Sequence, residues 1–174
     1  MELNRWTSQF HILFDSAVAK YQAGERGADS YFDNEGKDFL ASIGLRPIQL
    51  FDYAEDFVNG GEPDWDTVLL IVAARRDYLK HEMDGKWTAD PINSAALPAK
   101  SESYAGIVWL PRIIQKAEAF LQGALPPETM YCCGGDRRFL KQNRIHPADF
   151  LRIVWAMKGD KDKLAEYIKS HPEA

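Results

Sequence analysis

Cysteine is scarce in this chain of 174 residues, and the two it has, Cys132 and Cys133, are adjacent. They cannot staple distant segments, which excludes a disulfide scaffold. Long apolar runs are missing too. The longest, Val68 to Ala74, falls far short of the roughly 20 residues that span a bilayer. The start, Met1-Glu2-Leu3-Asn4-Arg5, has no apolar stretch of the kind a secretory signal needs. No period-two strand pattern is sustained anywhere, which points to an all-α class. His-Glu-x-x-His, Gly-x-Ser-x-Gly, the dinucleotide fingerprint and the P-loop are all absent, so no cofactor is indicated. The four histidines are scattered and the cysteines lack zinc-ligand spacing, so no metal site is expected. A net charge of -5 disfavours an overall basic nucleic-acid binder. These absences together predict a cytoplasmic protein with no membrane contact.

What remains is ordinary globular composition with helical spacing. The 21 aromatic residues exclude wholesale disorder. Phe10, Leu13, Phe14, Ala17, Val18 and Tyr21 recur at steps of three and four. Asp33 or Asn34 can cap a short helix, and Pro47 suits the first position of the next. Asp64 can cap a long helix reaching about His81. Residues 84–106 have no period and hold Pro91 and Pro98, yet Trp87, Leu97 and Tyr104 predict a packed loop. Helices resume at Pro111, at Asp136 as a cap, at Pro147, and after Gly159-Asp160. His11 and His171 read as surface or packing residues.

A shift of 100 positions brings two segments into register. Phe39 meets Phe139, Leu40 meets Leu140, Leu45 meets Ile145, Pro47 meets Pro147, Leu50 meets Phe150, and Phe51 meets Leu151. The expectation is one compact all-α domain, residues 1–174, of about eight helices. It is built from two pseudo-repeated three-helix units, about 33–81 and 133–170, joined by the long loop. The copies differ in charge. Residues 33–58 carry six acids and two bases, a net of -4, and residues 133–158 carry two acids and six bases, a net of +4. Two consequences are open: self-association through the oppositely charged repeats, or an anionic ligand or acidic partner received by the basic second half.

Two clusters stand out. Val72, Arg75 and Leu79 share a helix face with Arg76 at its edge, and an arginine among core positions needs a partner. Glu55 and Asp56 on the preceding helix would supply it, giving a structural ion-pair cluster. The second is the turn Tyr131-Cys132-Cys133-Gly134-Gly135-Asp136-Arg137-Arg138, with Asp136 read as the cap of the helix that follows. Together with Arg112, the residues Tyr131, Cys132, Asp136, Arg137 and Arg138 form the candidate ligand site. No catalytic residue is assigned. A cysteine nucleophile, with His146 as base oriented by Asp136 or Asp149, is the enzymatic alternative. Trp109 or Leu110 would pin the start of the Pro111 helix as a hydrophobic staple, with Arg112 off its apolar stripe.

The segments Gly106 to Ile114, Asp136-Arg137-Arg138-Phe139-Leu140 and His146 to Leu151 resemble an uncharacterised bacterial family catalogued as domain of unknown function 5069. Tyr53-Ala54-Glu55-Asp56 with Arg75-Arg76-Asp77-Tyr78 is similar to the N-terminal extension of its longer members. The resemblance is firmest over residues 30–158 and implies a bacterial cytoplasmic setting, and it supplies no mechanism.

Overall fold

Residues 5–87 and 90–170 are described by a computed structural model of the chain. Within them lie eight α-helices: α1 (Arg5–Gln22), α2 (Asn34–Ser42), α3 (Pro47–Gly60), α4 (Trp65–His81), α5 (Leu110–Gln122), α6 (Gly134–Gln142), α7 (Pro147–Ala156) and α8 (Lys161–Ser170). The class is all-α. No helix among the described residues is long and apolar enough to cross a membrane. Met1 to Asn4 and His171 lie outside the described residues. The chain divides into two compact units, 1–76 and 77–174, with the boundary inside α4.

The first unit is held by aromatic contacts at the spacing the sequence shows. Phe10, Phe14, Ala17 and Tyr21 are the buried stripe of α1, which packs along α3. Phe14 meets Phe57 at 5.7 Å, Tyr21 meets Phe51 at 5.8 Å, and Trp65 closes on Phe10 at 5.3 Å. His11 stacks on Trp65 at 4.1 Å, a packing role. Asp33 caps α2 by accepting from the Gly36 N–H at 2.8 Å. Pro47 opens α3 as expected, and Asp64 caps α4 by accepting from the Thr67 N–H at 2.9 Å.

In the second unit α5 is the central helix, packed on α7 and α8. The segment before it is anchored, not free. Ile92 N–H donates to Ala124 O at 2.9 Å, and Asn93 Oδ1 accepts from Ala95 N–H at 2.9 Å to cap a short 3₁₀ turn over Ser94–Ala96. A two-stranded hairpin, β1 (Ser103–Tyr104) and β2 (Ile107–Val108), turns through Ala105-Gly106, both left-handed. Sequence spacing missed it because two residues per strand are too few to show alternation.

The segments in register are built with the same bonds. In α2 and α6 the last turn closes through Leu45 N–H to Leu40 O at 2.9 Å and Ile145 N–H to Leu140 O at 3.0 Å. Gly44 and Arg144 both take the left-handed conformation between the paired helices. The starts differ: Asp33 caps α2 with its side chain, whereas Cys133 stands at the cap of α6 and makes no such bond.

Candidate functional site

The sequence predicts a charged cluster in the first unit that joins Glu55 and Asp56 to Arg75 and Arg76. Arg75 is fully buried, with its guanidinium against Gly44. Glu55 accepts from the Tyr21 hydroxyl at 2.7 Å, and Arg76 lies over the Trp6 ring at 4.8 Å. Asp56 is half-buried on the same helix. Next to it, Asp52 is driven up to about 7 by burial and by the charges of Glu55 and Asp56.

The second unit holds a cleft of about 520 Å³ beside the Tyr131–Arg138 turn. Arg112 and Arg138, both candidates from sequence, line it, together with Lys100, Lys116 and Cys133. Four of the lining side chains are cationic and one, Glu128, is acidic. Glu128 accepts from Ser94 and from its own backbone N–H, which holds its carboxyl below the usual range. Arg112 faces the long loop, its Nη1 donating to Pro98 O at 2.7 Å.

Asp136 does not cap α6. It occupies the third position of the helix, is 0% exposed, and pairs with the ammonium of Lys116, itself 2% exposed. Its carboxylate also accepts from Trp109 Nε1 at 2.9 Å and from Cys132 N–H at 3.0 Å. A buried carboxylate with three donors has its charge compensated, which a solvent-facing cap would not need. Neither Trp109 nor Leu110 precedes the cap of α5, as a staple requires, because Trp109 is the cap and Leu110 the first helical residue; the preceding Val108 is exposed. Trp109 itself caps α5 in a left-handed backbone, φ 75°. A left-handed bulky residue is strained and persists only where its surroundings hold it. Here the indole is held by Asp136 and packs against Gly135, where a Cβ would stand 2.5 Å from Trp109 Cζ2.

Three further candidates are engaged within the fold. Tyr131 is buried, stacks on Phe120 at 5.3 Å and donates to Pro147 O at 2.8 Å. Arg137 Nη1 donates to Cys132 O at 2.7 Å and so secures the turn. Cys132 is 0% exposed, and burial pushes its thiol up to about 12. It is a protonated core group at neutral pH and does not reach the cleft. The accessible thiol is Cys133, whose Sγ accepts from Lys116 Nζ at 3.3 Å. The base proposed for it is engaged elsewhere, since His146 Nδ1 accepts from Ala148 N–H at 3.2 Å and caps α7.

Lys116 is the residue that sequence reading missed. It falls three after Ile113 and four before Phe120, inside the apolar stripe of α5. A lysine at a core position signals a buried partner in the way Arg75 does. The partner, 20 residues away, is set by how α5 and α6 meet. Among the described residues, no three His, Cys, Asp or Glu side chains gather as a metal site. The chain matches no protein-family model, no curated protein and no solved structure.

Proposed function

We propose that the second unit is a non-enzymatic binding module whose cleft receives an anionic small molecule. The observation that carries this reading is the convergence of Lys100, Arg112 and Arg138 on one cleft, beside the paired Lys116, with the one acidic lining side chain, Glu128, turned to other donors. Asp136 fixes Lys116, while Arg112 is steadied by the Pro98 carbonyl. Positioned cations lose less freedom on binding than free surface ones, so they favour a defined ligand. The cleft falls within the usual size range for small-molecule sites. An acidic partner surface is the corresponding macromolecular form of the same charge complementarity. The reading keeps the bacterial cytoplasmic setting that the family resemblance implies.

The test is calorimetric titration of the full chain with inorganic phosphate and small dicarboxylates. Arg138 is exposed, so Arg138→Gln should leave folding intact and weaken binding about tenfold. No heat from any anion at low salt, or unchanged affinity in Arg138→Gln, would remove the reading.

A second reading is an enzyme that uses the same cleft with Cys133 as nucleophile. It is favoured by the Cys133 Sγ contact with the Lys116 ammonium. Alkylation at neutral pH followed by peptide mapping should then modify Cys133 and spare Cys132. An inert Cys133 sinks this reading and leaves the binding module standing.

A further inference from the structure

A second cavity lies in the same unit and shares no lining residue with the basic cleft. Its volume is about 280 Å³, at the small end for ligand sites. Its chemistry is the reverse of the cleft's. Tyr78 comes from the last turn of α4 and Glu82 from just after it, Glu118 from α5, and Trp155 from α7, with Lys158 and Gly159 at the following turn.

The Tyr78 and Trp155 rings stand 5.2 Å apart with their planes at 66°, which makes an aromatic corner. Trp155 Nε1 donates to Glu82 Oε1 at 3.0 Å, so one carboxylate is tied to the indole. Glu118 approaches from α5 and is half-buried. Burial raises its carboxyl, partly opposed by the charge of Lys161. Gly159 admits this carboxylate: a Cβ there would stand 1.9 Å from Glu118 Oε1. Lys158 is exposed on the rim.

Aromatic rings beside carboxylates favour one kind of ligand. An anion would meet two carboxylates, and a neutral apolar molecule would offer Glu118 no charge beyond that of Lys161. A cation gains from both the ring quadrupoles and the carboxylates. Diffuse, weakly hydrated cations gain most, because leaving water costs them least. We infer that this cavity binds a small organic cation with a methylated ammonium head, seated between Tyr78, Trp155 and Glu118. Its size excludes a bulky ligand, and Lys158 supplies a competing positive charge at its mouth.

The experiment is a titration of the ¹⁵N-labelled full chain with choline, read at the Trp155 indole N–H. Trp155→Phe assigns that resonance. Choline should shift it saturably, and the neutral isostere 3,3-dimethylbutan-1-ol should bind about tenfold more weakly. Glu118→Gln, which keeps the shape of the side chain, should weaken choline about threefold. Lys158→Asn should tighten it about twofold, since asparagine tolerates the left-handed backbone at that position. The inference is overturned by a Trp155 resonance that choline does not move, by equal binding of the alcohol, or by unaltered affinity in Glu118→Gln. Inorganic phosphate should leave the resonance in place whatever the fate of the basic cleft.

Discussion

Asp136→Asn should be among the most damaging single changes in the second unit. It keeps the side-chain shape and removes the charge that compensates Lys116, which is 2% exposed. Removing one partner of a buried pair typically costs about 3–5 kcal/mol. The amide must also still accept from Trp109 Nε1 and Cys132 N–H, which formerly met an ionised oxygen. Lys116→Met should cost less, about 2–3 kcal/mol, because Met fills the stem volume and Asp136 retains two N–H donors. The double variant should be less damaged than the sum, with a coupling of about 2 kcal/mol. A loss of 3–5 kcal/mol is a large share of the stability of an ordinary domain and should lower Tm by about 10 °C. Urea denaturation followed by circular dichroism gives the four corners of the cycle. The loss should persist at 0.5 M salt, roughly, since a buried pair is little screened. Additive losses, or an Asp136→Asn cost within about 1 kcal/mol of zero, would refute the assignment of this pair as the anchor of the cleft.

Other perturbations test other parts of the chain. Asp52 holds its proton up to about 7 in the folded state against an ordinary value of 3.8, so folding binds a proton between those limits and stability falls as pH rises through them. Asp52→Asn should therefore gain on the natural protein between pH 5 and pH 8, roughly, by about 1–2 kcal/mol after allowance for partial solvent exposure; parallel urea midpoints for the two proteins across that range would contradict this. Gly135→Ala should push the Trp109 indole off Asp136 and cost about 1–3 kcal/mol, with a change in tryptophan fluorescence; unaltered emission and stability would mean the indole has room to move. Asp33→Ala removes the α2 cap and should cost about 1 kcal/mol in thermal unfolding, with a loss under about 0.3 kcal/mol counting against the cap. Sedimentation at low salt should show concentration-dependent association if the oppositely charged repeats pair between chains, and a strict monomer at all concentrations excludes it.

Legibility in the sequence followed the range of the physics. The α1 stripe, the Asp33 and Asp64 caps, the Pro47 and Pro147 starts and the left-handed helix ends are local, because they depend on neighbours within a few positions. The register of the segments 100 positions apart was legible for the same reason. Asp136 misled because an acid before a helix usually caps it, and only the approach of α5 shows that Cys133 takes that place. Cys132 and Cys133 are identical in type and adjacent, yet one is sealed in the core and the other faces the cleft. Their neighbours in sequence cannot separate them; the left-handed turn at Cys132 does.

The sequence by itself therefore determined the helical class, most helix limits and the unequal charge of the two segments. Those properties are carried by periodicity, caps and composition. Tertiary structure alone decided which cations converge, that Lys116 is paired and buried, and that Cys133 is the accessible thiol. It alone also set Tyr78, Glu118 and Trp155 around one cavity, although they come from three helices far apart in the chain. Contacts of that kind depend on how faces meet, and a face's partner is not encoded in its own spacing.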